Sequence, residues 1–230
     1  YQREHFEFLM AKQVDAIIEI GSSYGDANDL EVYREVSEQV PLIILNGFVD
    51  VPTVYSIRCD ERSAICNLVE ELYERNCRHI YYLEDNTTFC AVEKRNGFLE
   101  GVNKCNLKAT SKCITIPIYS NEILDAQQKI ERLIRNGRRI DAILSADDLL
   151  AVGALQALNA AGLGIPVVGF NNSDFAFACT PRLTTVDNQR EFLCTNAINT
   201  LMSLLDGKDA AHHIIVSPKL IEGETFKLQA

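Results

Sequence analysis

The residues best equipped for chemistry in this 230-residue chain are eight cysteines and four histidines. The cysteines stand at 59, 66, 77, 90, 105, 113, 179 and 194. A tetrahedral metal site draws its ligands in close pairs, C-x-x-C or H-x-x-x-H, so that two donors reach one ion from the same turn. No two of these cysteines are so spaced, and none stands beside a histidine cluster. Several fall in apolar segments, where a free cysteine behaves as a small hydrophobe; reduced thiols in a cytoplasmic protein are expected. His212 and His213 are adjacent, so on a strand they would point to opposite faces and chelate poorly, and a loop pair is expected. Phosphate and acyl chemistry find no better support. G-x-G-x-x-G, G-x-x-x-x-G-K-[ST] and G-x-S-x-G are all absent. Gly21-Ser22-Ser23-Tyr24-Gly25, the nearest glycine-containing loop, lacks the lysine of a phosphate cradle. The chain therefore reads as a non-enzyme that needs no metal or cofactor.

Composition narrows the choice further. The chain is 47% hydrophobic, enough for one large core or two small ones. No apolar run reaches the ~18 residues of a membrane span. Against 22 basic side chains stand 32 acidic ones, a formal charge of -10. A surface of that sign repels phosphate backbones, so the chain is not expected to hold nucleic acid by itself.

Short apolar strands alternate with amphipathic helices along the whole length. Strands are predicted at 16–20, 42–45, 54–57, 80–83, 113–116, 142–145, 167–170 and 214–216. Helices are predicted at about 29–38, 60–75, 91–103, 121–135, 149–160 and 190–205. Asp60 and Asp148 are placed to cap helices. Such alternation builds parallel sheets through right-handed crossovers. Ligands of such sheets bind beyond the carboxyl ends of the strands. The loops after Ile20, Leu83, Ser145 and Phe170 therefore become the ones to read.

Three strings in those positions carry a resemblance. Arg95-Asn96-Gly97-Phe98 opens a helix and is similar to R-x-x-G-F. Asp141 to Gly153 is similar to D-A-I-x-x-x-N-D-x-x-A-x-G. Val168-Gly169-Phe170-Asn171-Asn172, followed by Pro181-Arg182-Leu183-Thr184-Thr185-Val186, is similar to V-G-F-D-D and P-x-L-T-T-V. Together, in this order, they resemble the effector-binding domain of the LacI/GalR family of bacterial transcription regulators.

The resemblance implies an α/β, periplasmic-binding-protein-like clamshell of two subdomains, each a parallel sheet flanked by helices. Residues 1–57 with about 190–206 would form the N-terminal subdomain, and 58–186 with about 207–230 the C-terminal one. A sugar or related effector would lie in the cleft, the protein would be a cytoplasmic homodimer, and operator DNA would be met through a helix-turn-helix ahead of Tyr1. The fold's first strand and much of its first helix are likewise expected ahead of Tyr1, and the link at Ile165-Pro166 reads as a few residues short.

Carried over by position, Arg95 matches the cleft arginine, whose fork suits adjacent hydroxyls or a carboxylate. Asp147 stands where asparagine is usual and Asn171 where aspartate is usual, an exchange that alters the polar pattern without removing it. Asn188 corresponds to a frequent glutamine. Ser22 and Ser23 follow the first visible strand and are placed to line the other lobe. Tyr119 is placed either to offer a stacking face or to be a half-buried strand-end aromatic, and Phe89 carries the same two readings. A transporter's periplasmic sugar-binding protein shares the fold, and a doubly wound enzyme remains a third class.

Overall fold

The computed structural model describes residues 2–21, 27–84, 88–116 and 122–228. In chain order the elements are α1 (Gln2–Ala11), β1 (Ile17–Ile20), α2 (Ala27–Ser37), β2 (Leu42–Leu45), β3 (Tyr55–Cys59), α3 (Glu61–Glu74), β4 (Ile80–Glu84), α4 (Phe89–Lys104) and β5 (Lys112–Thr115). There follow α5 (Glu122–Arg135), β6 (Ala142–Ser145), α6 (Asp148–Ala160), β7 (Val167–Phe170), α7 (Asp174–Ala178), β8 (Thr184–Asp187), α8 (Arg190–Leu205), β9 (His213–Val216) and β10 (Lys219–Ile221). They fall into two compact units. The first comprises Tyr1–Asp60, Thr87–Cys90 and Gln189–Ser217; the second comprises Glu61–Asn86, Ala91–Asn188 and Pro218–Ala230.

The first unit is built on a parallel sheet of order β1-β2-β3-β9. All four residues of β2 are buried, as a central parallel strand covered on both faces requires. Phe6, Val32, Tyr33 and Val36 pack against Leu42 and Ile44, whereas Leu193 and Ala197 of α8 pack against Ile43 and Leu45. Alternate side chains of one strand thus serve two cores. The strand His213–Val216 pairs with β3 here. This differs from the expectation that put the whole tail after 207 in the other subdomain; only β10 lies there. His213 begins that strand, not a loop, and its Nδ1 lies 2.9 Å from the Ser56 hydroxyl. His212 instead stacks on Tyr55, ring centroids 4.5 Å apart.

The second unit has six strands in the order β10-β8-β7-β6-β4-β5, all parallel except the β10–β8 pair. Its core runs from Ile65, Leu68, Val69 and Leu72 of α3 through Ile80 to Leu83 and on to Leu150, Leu155 and Leu158 of α6. Removing one such side chain, as in Leu72→Ala, costs about 2–5 kcal/mol. Helix α3 stops where Asn76 takes a left-handed φ of 64° and the Cys77 N–H turns back to the Leu72 carbonyl. After α6 a short turn leads straight into β7. Leu163 N–H bonds the Leu158 carbonyl, Pro166 C=O receives the Ile143 N–H, and the next residue enters β7.

Candidate functional site

The carboxyl ends of β6, β7 and β8 lie side by side in the second sheet. At the first of them the backbone of Asp147 is extended (φ -151°, ψ 175°), and its Oδ1 accepts the Leu150 N–H at 2.9 Å. Asp147 is therefore the N-cap of α6. The sequence reading gave that role to Asp148, one residue on. Asp148 is instead buried, with 1% of its surface exposed. Its Oδ2 accepts from the Ser173 N–H (2.7 Å) and hydroxyl (2.8 Å), and its Oδ1 from the Thr185 hydroxyl (2.6 Å). Burial raises its pKa, and the bonds from Thr185 and Ser173 oppose that rise. This carboxylate pins the loop after β7 and strand β8 to the head of α6. Gly169 makes room for it: a Cβ there would lie 2.2 Å from Asp148 Oδ1.

On α4 the structure separates two neighbouring cations. Lys94 points inward, its side chain 8% exposed. Its Nζ donates to the Ala146 carbonyl at 2.9 Å, lies 3.8 Å from Glu61 Oε2, and stands 4.2 Å from the centre of the Phe170 ring. Arg95 points outward, 54% exposed, with Nε 3.5 Å from Glu84 Oε2. Glu84 Oε1 also accepts from the Thr115 hydroxyl at 3.1 Å. Close by, burial and the Glu84 charge push the Cys113 thiol up to about 11, against the pull of Arg95. The inward cation is thus Lys94, not the Arg95 selected from sequence. Counting R-x-x-G-F back from Gly97 places its basic residue at 94, so the motif's own spacing held the signal. The rotation of α4 is fixed at Gly97, where a Cβ would stand 2.2 Å from the Arg62 carbonyl oxygen.

Beside this cation lies an asparagine cluster. Asn171 has a φ of 95°, and its N–H bonds the Val186 carbonyl at 2.8 Å. Asn188, 4% exposed, donates from Nδ2 to Asn171 Oδ1 at 3.4 Å. Its own Oδ1 is buried without a partner among the described residues, and so are Asn172 Oδ1 and Ser145 Oγ. Asn172 N–H bonds the Thr185 hydroxyl at 3.2 Å. Asp147, Asn171 and Asn188 are thereby brought to one edge, with Lys94, Glu61 and Asn172 as members that the sequence reading missed.

The remaining candidates fall elsewhere. Phe89 belongs to the first unit, where its ring is 5.8 Å from that of Phe48 and 5.5 Å from the Arg58 guanidinium carbon. Ser22, Ser23 and Tyr119 lie outside the described residues. All eight cysteines are free thiols. Among the described residues no three His, Cys, Asp or Glu side chains cluster to hold a metal, and no helix is long and apolar enough to cross a membrane.

Fold and edge together define a periplasmic-binding-protein-like domain, and the family model described as "Periplasmic binding protein-like domain" matches residues 69–226. An HTH-type transcriptional regulator of Lachnoclostridium phytofermentans is 30% identical over 230 residues, covering 97% of this chain and 68% of the relative. The chain belongs to the LacI/GalR family of HTH-type transcription regulators. Among solved structures, a Lac repressor dimer bound to operator and the anti-inducer ONPF superposes with a TM-score of 0.83 at 20% identity, covering 97% of this chain and 77% of that one. A periplasmic binding protein/LacI regulator from Alkaliphilus metalliredigens, complexed with D-xylulofuranose, gives 0.79 at 22% identity, covering 97% and 82%.

Proposed function

We propose that this chain is the part of a bacterial transcription regulator that senses a small-molecule effector, a sugar or a close relative of one, without turning it over. The effector sits at the carboxyl edge of the second sheet. Lys94 supplies the cation there, Asp147, Asn171 and Asn188 supply polar contacts, and Arg95 stands at the rim. The observation that supports this reading is the pair of buried amide oxygens, Asn172 Oδ1 and Asn188 Oδ1, left without partners at adjacent strand ends. Buried acceptors of that kind are costly unless something donates to them. The similar Alkaliphilus protein, complexed with D-xylulofuranose, supports a sugar-like effector, and the HTH-type names of the relatives support an operator-binding head elsewhere in the full protein. The similar Lac repressor is a dimer, which supports a homodimer here; contact with operator DNA would put it in the cytoplasm. To regulate, the effector must bind one conformational state of the protein more tightly than another. A thermal-shift screen with sugars, sugar phosphates, nucleosides and purines tests the reading. A specific ligand raises the melting temperature in proportion to ln(1 + [L]/Kd). If no compound of these classes shifts it, the reading is wrong.

A further inference from the structure

The edge of the second sheet has more to say about its ligand than that it is small. Its hydrogen-bonding capacity divides unevenly. Several of its donors are already committed. Lys94 Nζ gives to the Ala146 carbonyl and faces Glu61, the Thr185 and Ser173 hydroxyls give to Asp148, and the Asn188 amide NH2 gives to Asn171. Buried without partners among the described residues are two acceptors, Asn172 Oδ1 and Asn188 Oδ1, and the Ser145 hydroxyl, which can donate or accept. An amide oxygen can be satisfied only by an O–H or an N–H. Charge points the same way. Lys94 stands by Glu61, Arg95 by Glu84, and Asp147 and Asp148 lie at the head of α6. Both cations already face a carboxylate.

We infer that this edge selects an uncharged, hydroxyl-rich ligand and rejects its phosphorylated or carboxylated counterpart; the inference rests on the effector-sensing reading above. A phosphate or carboxylate brings acceptors only. Placed against the amide oxygens, such a group would leave them unmet, and it would add negative charge to an edge that already carries carboxylates. A polyol hydroxyl donates to each amide oxygen and accepts from whatever N–H is within reach. Sites built to meet a hydroxyl discriminate sharply against partners that cannot supply one, because the buried polar group is then stranded.

The test uses matched pairs, measured with this chain by thermal shift and then by calorimetry. They are glucose with glucose 6-phosphate and with glucuronate, ribose with ribose 5-phosphate, and adenosine with adenosine monophosphate. The expected result is that a neutral member binds and that its anionic counterpart binds more than tenfold more weakly. An anionic member that binds as well as its neutral counterpart, or better, overturns the inference and leaves the sensing role standing. Silence from every neutral compound overturns it as well; if nothing binds at all, the sensing role falls with it. Asn188→Leu keeps the side-chain volume and removes the acceptor. It is expected to lose at least tenfold in affinity for the neutral ligand while the free protein melts no lower than wild type. Asn172→Gly removes the other acceptor at a φ of 48° that glycine adopts without strain, and the same loss is expected. Wild-type affinity in both variants would overturn the assignment.

Discussion

Lys94 and Arg95 are consecutive residues, yet they lie about 100° apart around α4, and that angle separates a buried cation from an exposed one. Lys94 gives up most of its hydration and regains it from the Ala146 carbonyl, the Phe170 ring face and Glu61. Deleting it strands a carbonyl and removes a cation from beside the buried Glu61. Lys94→Ala is therefore expected to cost about 3 kcal/mol in urea unfolding and to abolish effector binding in calorimetry. Arg95→Ala, at a half-exposed ion pair, is expected to stay within about 0.5 kcal/mol of wild type. The opposite order of effects would return the edge to Arg95.

A second residue carries a pH dependence of definite sign. Burial alone would raise the pKa of Asp141, but the Arg139 guanidinium, the backbone N–H groups of Arg78 and His79 and the His79 ring together hold it at about 2. A folded-state value below the unfolded one gives stability that is present above the unfolded value of 3.8 and lost as pH falls toward 2. Asp141→Asn should thus cost roughly 1–3 kcal/mol at pH 7, with the gap to wild type closing as pH falls below 4. A gap that is constant between pH 7 and pH 3 would show that the carboxylate charge plays no part.

At the scale of elements, helix packing is set by close backbone approach. The Cβ that an alanine would place at Gly97 falls 2.2 Å from the Arg62 carbonyl oxygen of α3, so Gly97→Ala must push α4 away and is expected to cost about 1–3 kcal/mol. Gly164 is a control, since a Cβ there meets nothing within 4 Å. Gly164→Ala is expected to be neutral or stabilising by up to about 1 kcal/mol. Equal effects of the two substitutions would mean that the contact in α4 is not what matters.

The same elements mark where sequence is a good guide. Strand β6 lies where a short apolar run puts it, being buried on both faces, and helix α8 where the spacing of its apolar residues puts it. Strand β8 carries no such period. Thr184 and Thr185 are both buried, their hydroxyls spent on the Phe226 carbonyl and the Asp148 carboxylate, so polar residues occupy core positions. The three-residue β10 and the five-residue α7 are too short to show any pattern. The edge was legible as a set of loops, from topology alone. Within it, sequence alone does not separate the buried Lys94 from the exposed Arg95, and it places the α6 cap at Asp148 where Asp147 is the cap. Residue type does not resolve neighbours of like chemistry; the rotation of a helix does.

For the whole molecule, charge and family membership have to be reconciled. The relatives are named as HTH-type regulators, and this chain spans 68% of the Lachnoclostridium protein. Its formal charge is -10. Duplex binding draws its affinity from cations that displace counterions from phosphates. Here the cations are widely committed: Arg62 to Glu100, Arg75 to Glu71, Lys104 to Glu70 and Glu100, Arg139 to Asp141. A DNA-binding protein without its cognate site still holds duplex at roughly 10⁻⁴ to 10⁻⁶ M in physiological salt. This chain is expected to bind more weakly than that, with or without effector, in fluorescence anisotropy on labelled duplex. Lowering the salt should gain it little, because few phosphates are neutralised. A dissociation constant below about 10 µM that weakens steeply with salt would mean that this part of the regulator itself grips DNA. Sensing and operator contact would then share one surface instead of being divided between parts of the protein.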